Sequence, residues 1–169
     1  MFGDIGRSQT IAYSAAFVGL ITLGSWISIP FIPVPFTLQT RFILLAGAVM
    51  HRKAVIPVVL FLLLGVLGLP VFHNGAAGPA LILGPTGGYL AGFVIAALVA
   101  GFSYECRSEW MRAAGMISAT ILILVFGAAW LMVSMGMALL PAVIAGILPF
   151  LAGDLLKAAA AFLIARRLL

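Results

Sequence analysis

Asp154 and Lys157 are the only charged residues in the apolar stretch from Ala142 to Ala165. Their spacing is i,i+3, so on a helix they share a face and can pair. A charge in the hydrocarbon region costs on the order of 3 kcal/mol for each Asp or Lys, so such groups turn toward a protein interior or a wet cavity. The pair has two readings. It holds a ligand, or it is a structural ion pair joining two helices. The residues around it have to decide.

A second polar group stands at Gln39 and Arg41. It follows Ile29-Pro30-Phe31-Ile32-Pro33-Val34-Pro35-Phe36, where three prolines in six residues preclude a regular helix and favour stiff, extended backbone. A stiff apolar segment at a membrane surface serves as a lid over a pocket or as an ordinary packed connection. Arg41 also reads as an interfacial anchor whose long side chain snorkels to the headgroups.

A third group lies in the irregular stretch 68–88, which holds six glycines and three prolines in 21 residues. Loops of this length are uncommon in compact domains and often functional. Asn74 offers amide donors and a carbonyl acceptor. Gly84-Pro85-Thr86-Gly87-Gly88 opens a helix, and the free N–H groups there suit an anion, with Gly87 and Gly88 letting a ligand reach the backbone. It is not a P-loop, because no Gly-Lys-Ser/Thr ends it. Tyr89, in the first turn of that helix, presents a flat face and a hydroxyl, or serves as an interfacial aromatic anchor. His73 has no second His or Cys nearby, so no metal site is expected.

The elements that position these groups follow from composition. The chain has 169 residues, 64% hydrophobic and 8% charged. A soluble domain carries about 25% charged residues. The sequence therefore predicts an all-α integral membrane protein of one domain, residues 1–169. The net charge of +5 does not point to nucleic acid, because the basic residues are few and scattered between apolar runs. The single cysteine, Cys106, excludes an internal disulfide. A short polar start over 1–9 precedes six expected transmembrane helices, at about 10–29, 37–50, 54–69, 86–102, 113–135 and 146–165. The first is read as an uncleaved span, because no clear small-residue cleavage site follows it. Ala12 and Ala16 on that helix form a small-xxx-small pattern that lets another helix approach closely. Arg7, Arg52, Lys53, Arg107, Arg112, Arg166 and Arg167 share one side and only Arg41 and Lys157 the other, which puts both termini in the cytoplasm. Every candidate functional group then falls in the outer half, as an outward-facing apolar pocket with a few polar groups requires.

At this point the sequence resembles the biotin-specific substrate-binding (S) components of energy-coupling factor (ECF) transporters, the BioY family. The blocks that carry the likeness are Ile32 to Thr40, Gly68-Leu69-Pro70-Val71-Phe72, Leu83 to Leu90 with its Gly-Pro-Thr-Gly-Gly-Tyr, and Leu148 to Lys157 with its Gly-Asp-Leu-Leu-Lys. They span nearly the whole chain in the family's order. The resemblance implies a prokaryotic cell-membrane protein with an ECF S-component-like bundle that captures biotin from outside. It implies a transmembrane coupling subunit and two ATP-binding-cassette ATPases as partners, docked through small residues that Ala12 and Ala16 match. Biotin is the transported ligand, and no cofactor or metal is implied. Under this reading Asp154, Lys157, Tyr89, Asn74, Gln39, Arg41, Gly87 and Gly88 bind substrate.

Other classes fare worse. An aspartyl protease needs two membrane carboxylates, and the only other Asp is Asp4. A serine type needs a membrane His, and a zinc type needs clustered ligands. No enzyme is expected. A self-sufficient channel or carrier would have Asp154 and Lys157 line a pore, but no inverted repeat is visible. An S component for another vitamin is the nearest alternative.

Overall fold

The computed structural model describes residues 6–168. Residues 1–5 of the expected polar start lie outside the described residues. Helix α1 covers Arg7–Trp26, beginning earlier than the sequence predicts because Arg7, Ser8 and Gln9 extend its polar end. It stops short of Ile29 because strand β1 (Ser28–Ile29) pairs antiparallel with β2 (Phe36–Thr37), Ser28 facing Thr37. The prolines at 30, 33 and 35 lie between the two strands, where their missing N–H groups cost no ladder bonds.

Helix α2 (Gln39–Met50) leads through a short 3-10 turn at His51–Ala54 into α3 (Val55–Val66). The chain reverses at His51, whose φ is 53°. Stretch 68–86 is not wholly irregular. It holds a turn at His73–Gly75 and the one-turn helix α4 (Ala80–Leu83). Helices α5 (Gly87–Glu105) and α6 (Glu109–Ser134) form the most extensive helix pair. Helix α7 (Leu139–Gly146) is short, and α8 (Leu148–Leu168) closes the described chain.

Successive long helices alternate in direction. The end of α1 meets the start of α2, where the Leu38 N–H donates to Gly24 O at 2.9 Å. The start of α3 lies beside the start of α1, with Lys53 and Ile56 flanking the same groove as Arg7 and Ile11. Gly101, near the end of α5, abuts the backbone of His51. Glu109, at the start of α6, pairs at 3.1 Å with Arg166, near the end of α8. One end of the bundle therefore gathers most of the cations, and the other gathers the proline segment, stretch 68–86 and the starts of α5 and α8.

Among the described residues four stretches are long and apolar enough to cross a membrane: Gln39–Val66, Gly87–Glu105, Glu109–Ser134 and Leu148–Leu168. The first contains the reversal at His51. The 20-residue α1, whose first turn is polar, is not among them. The packing is that of a lipid-facing bundle. Ala46, Ala96, Ala100, Ala119, Ala161 and Ala165 are fully buried, while Ile117, Val125, Leu156 and Leu163 are exposed. Small residues inside let helix backbones approach closely, which is how helices associate in lipid.

The contact between α5 and α6 depends on the glycines at the start of α5. A Cβ at Gly88 would run into the Trp130 side chain and the Phe126 carbonyl, and one at Gly87 into the Ile82 carbonyl. Trp130 Nε1 donates to Gly84 O at 2.8 Å and pins the block in place. Gly88→Val should force the helices apart, an overpacking cost of about 1–3 kcal/mol. It should lower the thermal midpoint of the detergent-solubilised protein, and an unchanged midpoint would show that α5 and α6 are not packed this closely.

Candidate ligand-binding site

A buried ammonium needs its charge answered by neighbours, and Lys157 finds them on three sides. Its Nζ donates to Asp154 Oδ1 at 2.6 Å and to the Thr37 carbonyl at 2.5 Å. It also lies 3.4 Å from the centroid of the Phe36 ring, a cation–π contact. Asp154 and Lys157 are on one face of α8, as i,i+3 spacing dictates, and both are at least nine-tenths buried. The Thr40 hydroxyl donates to Asp154 Oδ1 at 3.3 Å. The other carboxylate oxygen, Oδ2, makes no hydrogen bond among the described residues.

Aromatic rings wall this group. Phe36 stacks on Phe150 at 6.1 Å, and Tyr89 meets Phe150 edge-on at 6.2 Å. Phe36 reaches α8 because Gly153 leaves room, for a Cβ there would strike the Phe36 ring. The Tyr89 hydroxyl donates to Gly146 O at 2.7 Å, so Tyr89 offers its ring rather than a polar handle. Gln39 also lines the cleft, and its Oε1 is buried with no partner among the described residues. The cleft thus presents two acceptors, Asp154 Oδ2 and Gln39 Oε1, within an aromatic enclosure. Its free volume is about 40 Å³, room for a few waters.

Four of the eight residues expected to bind substrate meet in this cleft: Asp154, Lys157, Tyr89 and Gln39. Four do not line it. Arg41 is two residues beyond Gln39 on α2, and i,i+2 positions do not share a helix face. Its guanidinium lies 5.9 Å from the Phe42 ring instead. Asn74 is in a left-handed conformation at φ 55°, and its Oδ1 accepts from Ser28 Oγ at 2.6 Å, which ties the loop to β1. Gly87 and Gly88 face α6, where close helix approach rather than a ligand requires glycine. Ala12 and Ala16 are exposed on the outer face of α1, away from the cleft.

Sequence reasoning missed Thr40, the Thr37 carbonyl, Phe150 and His73, all at the cleft, and reached Phe36 only as part of the proline segment. Phe36 and Phe150 sit inside the blocks that carry the family likeness. Nothing local marks Thr40 as a partner of a residue 114 positions away. His73 stands where Asn74 was expected, and burial holds its imidazole below the ordinary range.

A model of the BioY family matches residues 4–169. The chain is 39% identical over 163 residues to a protein of Pyrococcus horikoshii named "Probable biotin transporter BioY", covering 96% of this chain and 97% of that one. It is equally identical over 163 residues to the "Biotin transporter BioY" of Thermotoga maritima, covering 90% of each. Among solved structures it matches the crystal structure of "the S-component for biotin from an ECF-type ABC transporter", with TM-score 0.87 and 31% identity, over 99% of this chain and 94% of that one.

The site generates two predictions. Asp154→Leu alone leaves the Lys157 ammonium buried without its carboxylate, a loss of about 3–5 kcal/mol. Asp154→Leu/Lys157→Met removes both charges and should recover most of that loss in thermal midpoint. A double variant as unstable as the single one would show that the two groups are not coupled. The second concerns acid. Because the folded pKa of His73 is depressed, the unfolded chain takes up its proton first as pH falls below 6.5. The folded state is then progressively disfavoured, while above that value the full stability is retained. His73→Gln should shrink the drop in midpoint between about pH 7.5 and about pH 5.5, and an undiminished drop would assign the acid sensitivity elsewhere.

Proposed function

The chain belongs to the BioY family, and from that premise we propose that it is the biotin-capturing S component of an ECF transporter in a prokaryotic cell membrane. Its work is binding and transport, not catalysis. In this reading α1, α2, α3, α5, α6 and α8 make six crossings. The 12-residue α2 and α3 are each about 18 Å long, and the connecting segments at either end complete their spans. The end rich in Arg and Lys, with both termini, faces the cytoplasm, as the positive-inside rule favours. The cleft then opens outward.

One observation carries the ligand assignment: a buried Asp–Lys pair with an unbonded carboxylate oxygen, held among aromatic rings. Biotin has the complementary chemistry. Its ureido ring carries two N–H donors and one acceptor, its thioether ring is apolar, and its tail is a carboxylate. Asp154 Oδ2 and Gln39 Oε1 accept from the ureido N–H groups. Lys157 donates to the ureido oxygen or to the carboxylate. Phe36, Phe150 and Tyr89 cover the apolar ring. Asn74, Gly87 and Gly88 act outside direct contact, through the loop and the helix pair they hold, and Arg41 lies beyond the cleft beside Phe42.

The free volume of about 40 Å³ in the cleft is too small for a bicyclic ligand. The segment from Pro30 to Thr37 therefore lifts as a lid to admit biotin, carrying Phe36 off Lys157. A transmembrane coupling subunit and two ATP-binding-cassette ATPases supply the energy, and the exposed Ala12 and Ala16 on α1 dock the coupling subunit.

The test is calorimetry on the purified, detergent-solubilised chain, with riboflavin and thiamine as controls. Biotin alone should bind, saturably and one to one. Asp154→Asn, checked for folding by its thermal transition, should weaken biotin about tenfold or more, as the loss of a hydrogen bond to a charged group does. A folded wild-type protein that ignores biotin, or takes riboflavin or thiamine in its place, would overturn the assignment.

A further inference from the structure

A second cavity lies far from the cleft, at the cation-rich end. It is a groove of about 1010 Å³ between α1 and α3. Its long walls are apolar, formed by Ile11 and Val18 on α1 and by Ile56, Leu60 and Leu64 on α3. The α3 residues are spaced i, i+4 and i+8, so they form one continuous ridge. Arg7 and Lys53 stand at its mouth. Arg7 makes no ion pair among the described residues.

Two hydroxyls also line the groove, and that of Thr10 already donates to Gly6 O at 3.2 Å. Ser14 lines it too, yet it is only 4% exposed and its Oγ has no hydrogen-bond partner among the described residues. A serine on a helix ordinarily bonds the carbonyl one turn back, and this one does not. An occupant made only of hydrocarbon would leave the hydroxyl unsatisfied. An occupant with an acceptor at that depth would satisfy it once the hydroxyl turns toward the groove.

The order of chemistry along the groove identifies it. Cations come first. The Ser14 hydroxyl lies seven residues further along α1, about 10 Å. Only apolar side chains follow. A glycerophospholipid has the same order: headgroup phosphate, ester carbonyls, acyl chains. We propose that the groove between α1 and α3 is a binding site for an acidic phospholipid, with its headgroup at Arg7 and Lys53, an ester carbonyl at Ser14 and an acyl chain along Ile56, Leu60 and Leu64. The two cations favour lipid over a partner's apolar helix, because basic residues at a membrane surface select anionic lipid. The site is independent of the biotin cleft.

Native mass spectrometry of the full chain in neutral detergent tests this, with phosphatidylglycerol and phosphatidylcholine added at matched concentration. The wild type should retain phosphatidylglycerol about tenfold over phosphatidylcholine, a preference worth 1.4 kcal/mol. Arg7→Gln/Lys53→Gln should abolish the preference. Leu60→Trp, which fills the groove from a half-exposed position, should displace the lipid itself. Unchanged biotin binding in these variants establishes that they are folded. Equal retention of the two lipids by the wild type would overturn the proposal, as would phosphatidylglycerol binding that survives both sets of substitutions. So would a Leu60→Trp protein that keeps its lipid but no longer co-purifies with the coupling subunit, because the groove would then be a protein interface.

Discussion

The Lys157 ammonium is the group on which the outer end of the molecule depends. A lone charge in so apolar a place would not persist, and each neighbour that answers it constrains a different part of the chain. Asp154 must be one turn earlier on the same helix. The Thr37 carbonyl must be free of helical hydrogen bonding, which the prolines before it ensure by keeping that segment extended. The Phe36 ring must lie close above the ammonium, which requires that Gly153 carry no side chain. Thr40 then ties the start of α2 to the same carboxylate. One buried cation thus gathers β2, α2 and α8 around a single point.

The rest of the bundle obeys the complementary constraint of an apolar surround. Large side chains such as Leu156 and Leu163 face outward while alanines such as Ala96, Ala100 and Ala161 pack inward, so helices meet there by close backbone approach. Non-helical backbone packed against apolar helices persists only where its polar groups find partners. Stretch 68–86 meets that condition through its neighbours. Ser25 donates to Val71 O, Trp26 to Pro70 O and Trp130 to Gly84 O, while the Gly78 N–H donates to Gly65 O. Side chains of α1 and α6 therefore hold an irregular segment in one shape against the cleft.

These two constraints suit the proposed capture of biotin. The Lys157 charge is already answered by Asp154, the Thr37 carbonyl and the Phe36 ring, so it needs no ligand to keep the protein folded. The groups left over are acceptors, Asp154 Oδ2 and Gln39 Oε1, and they reward a ligand that brings N–H donors. A site built this way rejects analogues lacking those donors, because its own buried acceptors would stay unpaired. The aromatic rings contribute affinity for any flat apolar body, and the acceptors supply the discrimination.

The membrane class was decided by composition alone, since a chain with so few charges has no means of covering a soluble surface. Periodicity put Asp154 and Lys157 on one helical face, and the prolines ruled out helix over 30–35, because both are local consequences of backbone geometry. The family likeness was equally readable, carried by blocks of contiguous residues. What the sequence could not supply was helix phase and long-range partnership. Gln39 enters the cleft and Arg41 does not because α2 is rotated by its packing on α1, α5 and α8. Asn74 turned to Ser28 and the Gly87–Gly88 step to Trp130, choices made by neighbours distant in the chain. Thr40 joined the charged pair across 114 residues. Spacing along a chain predicts which residues share a face. Which neighbour that face meets is decided only when the helices pack.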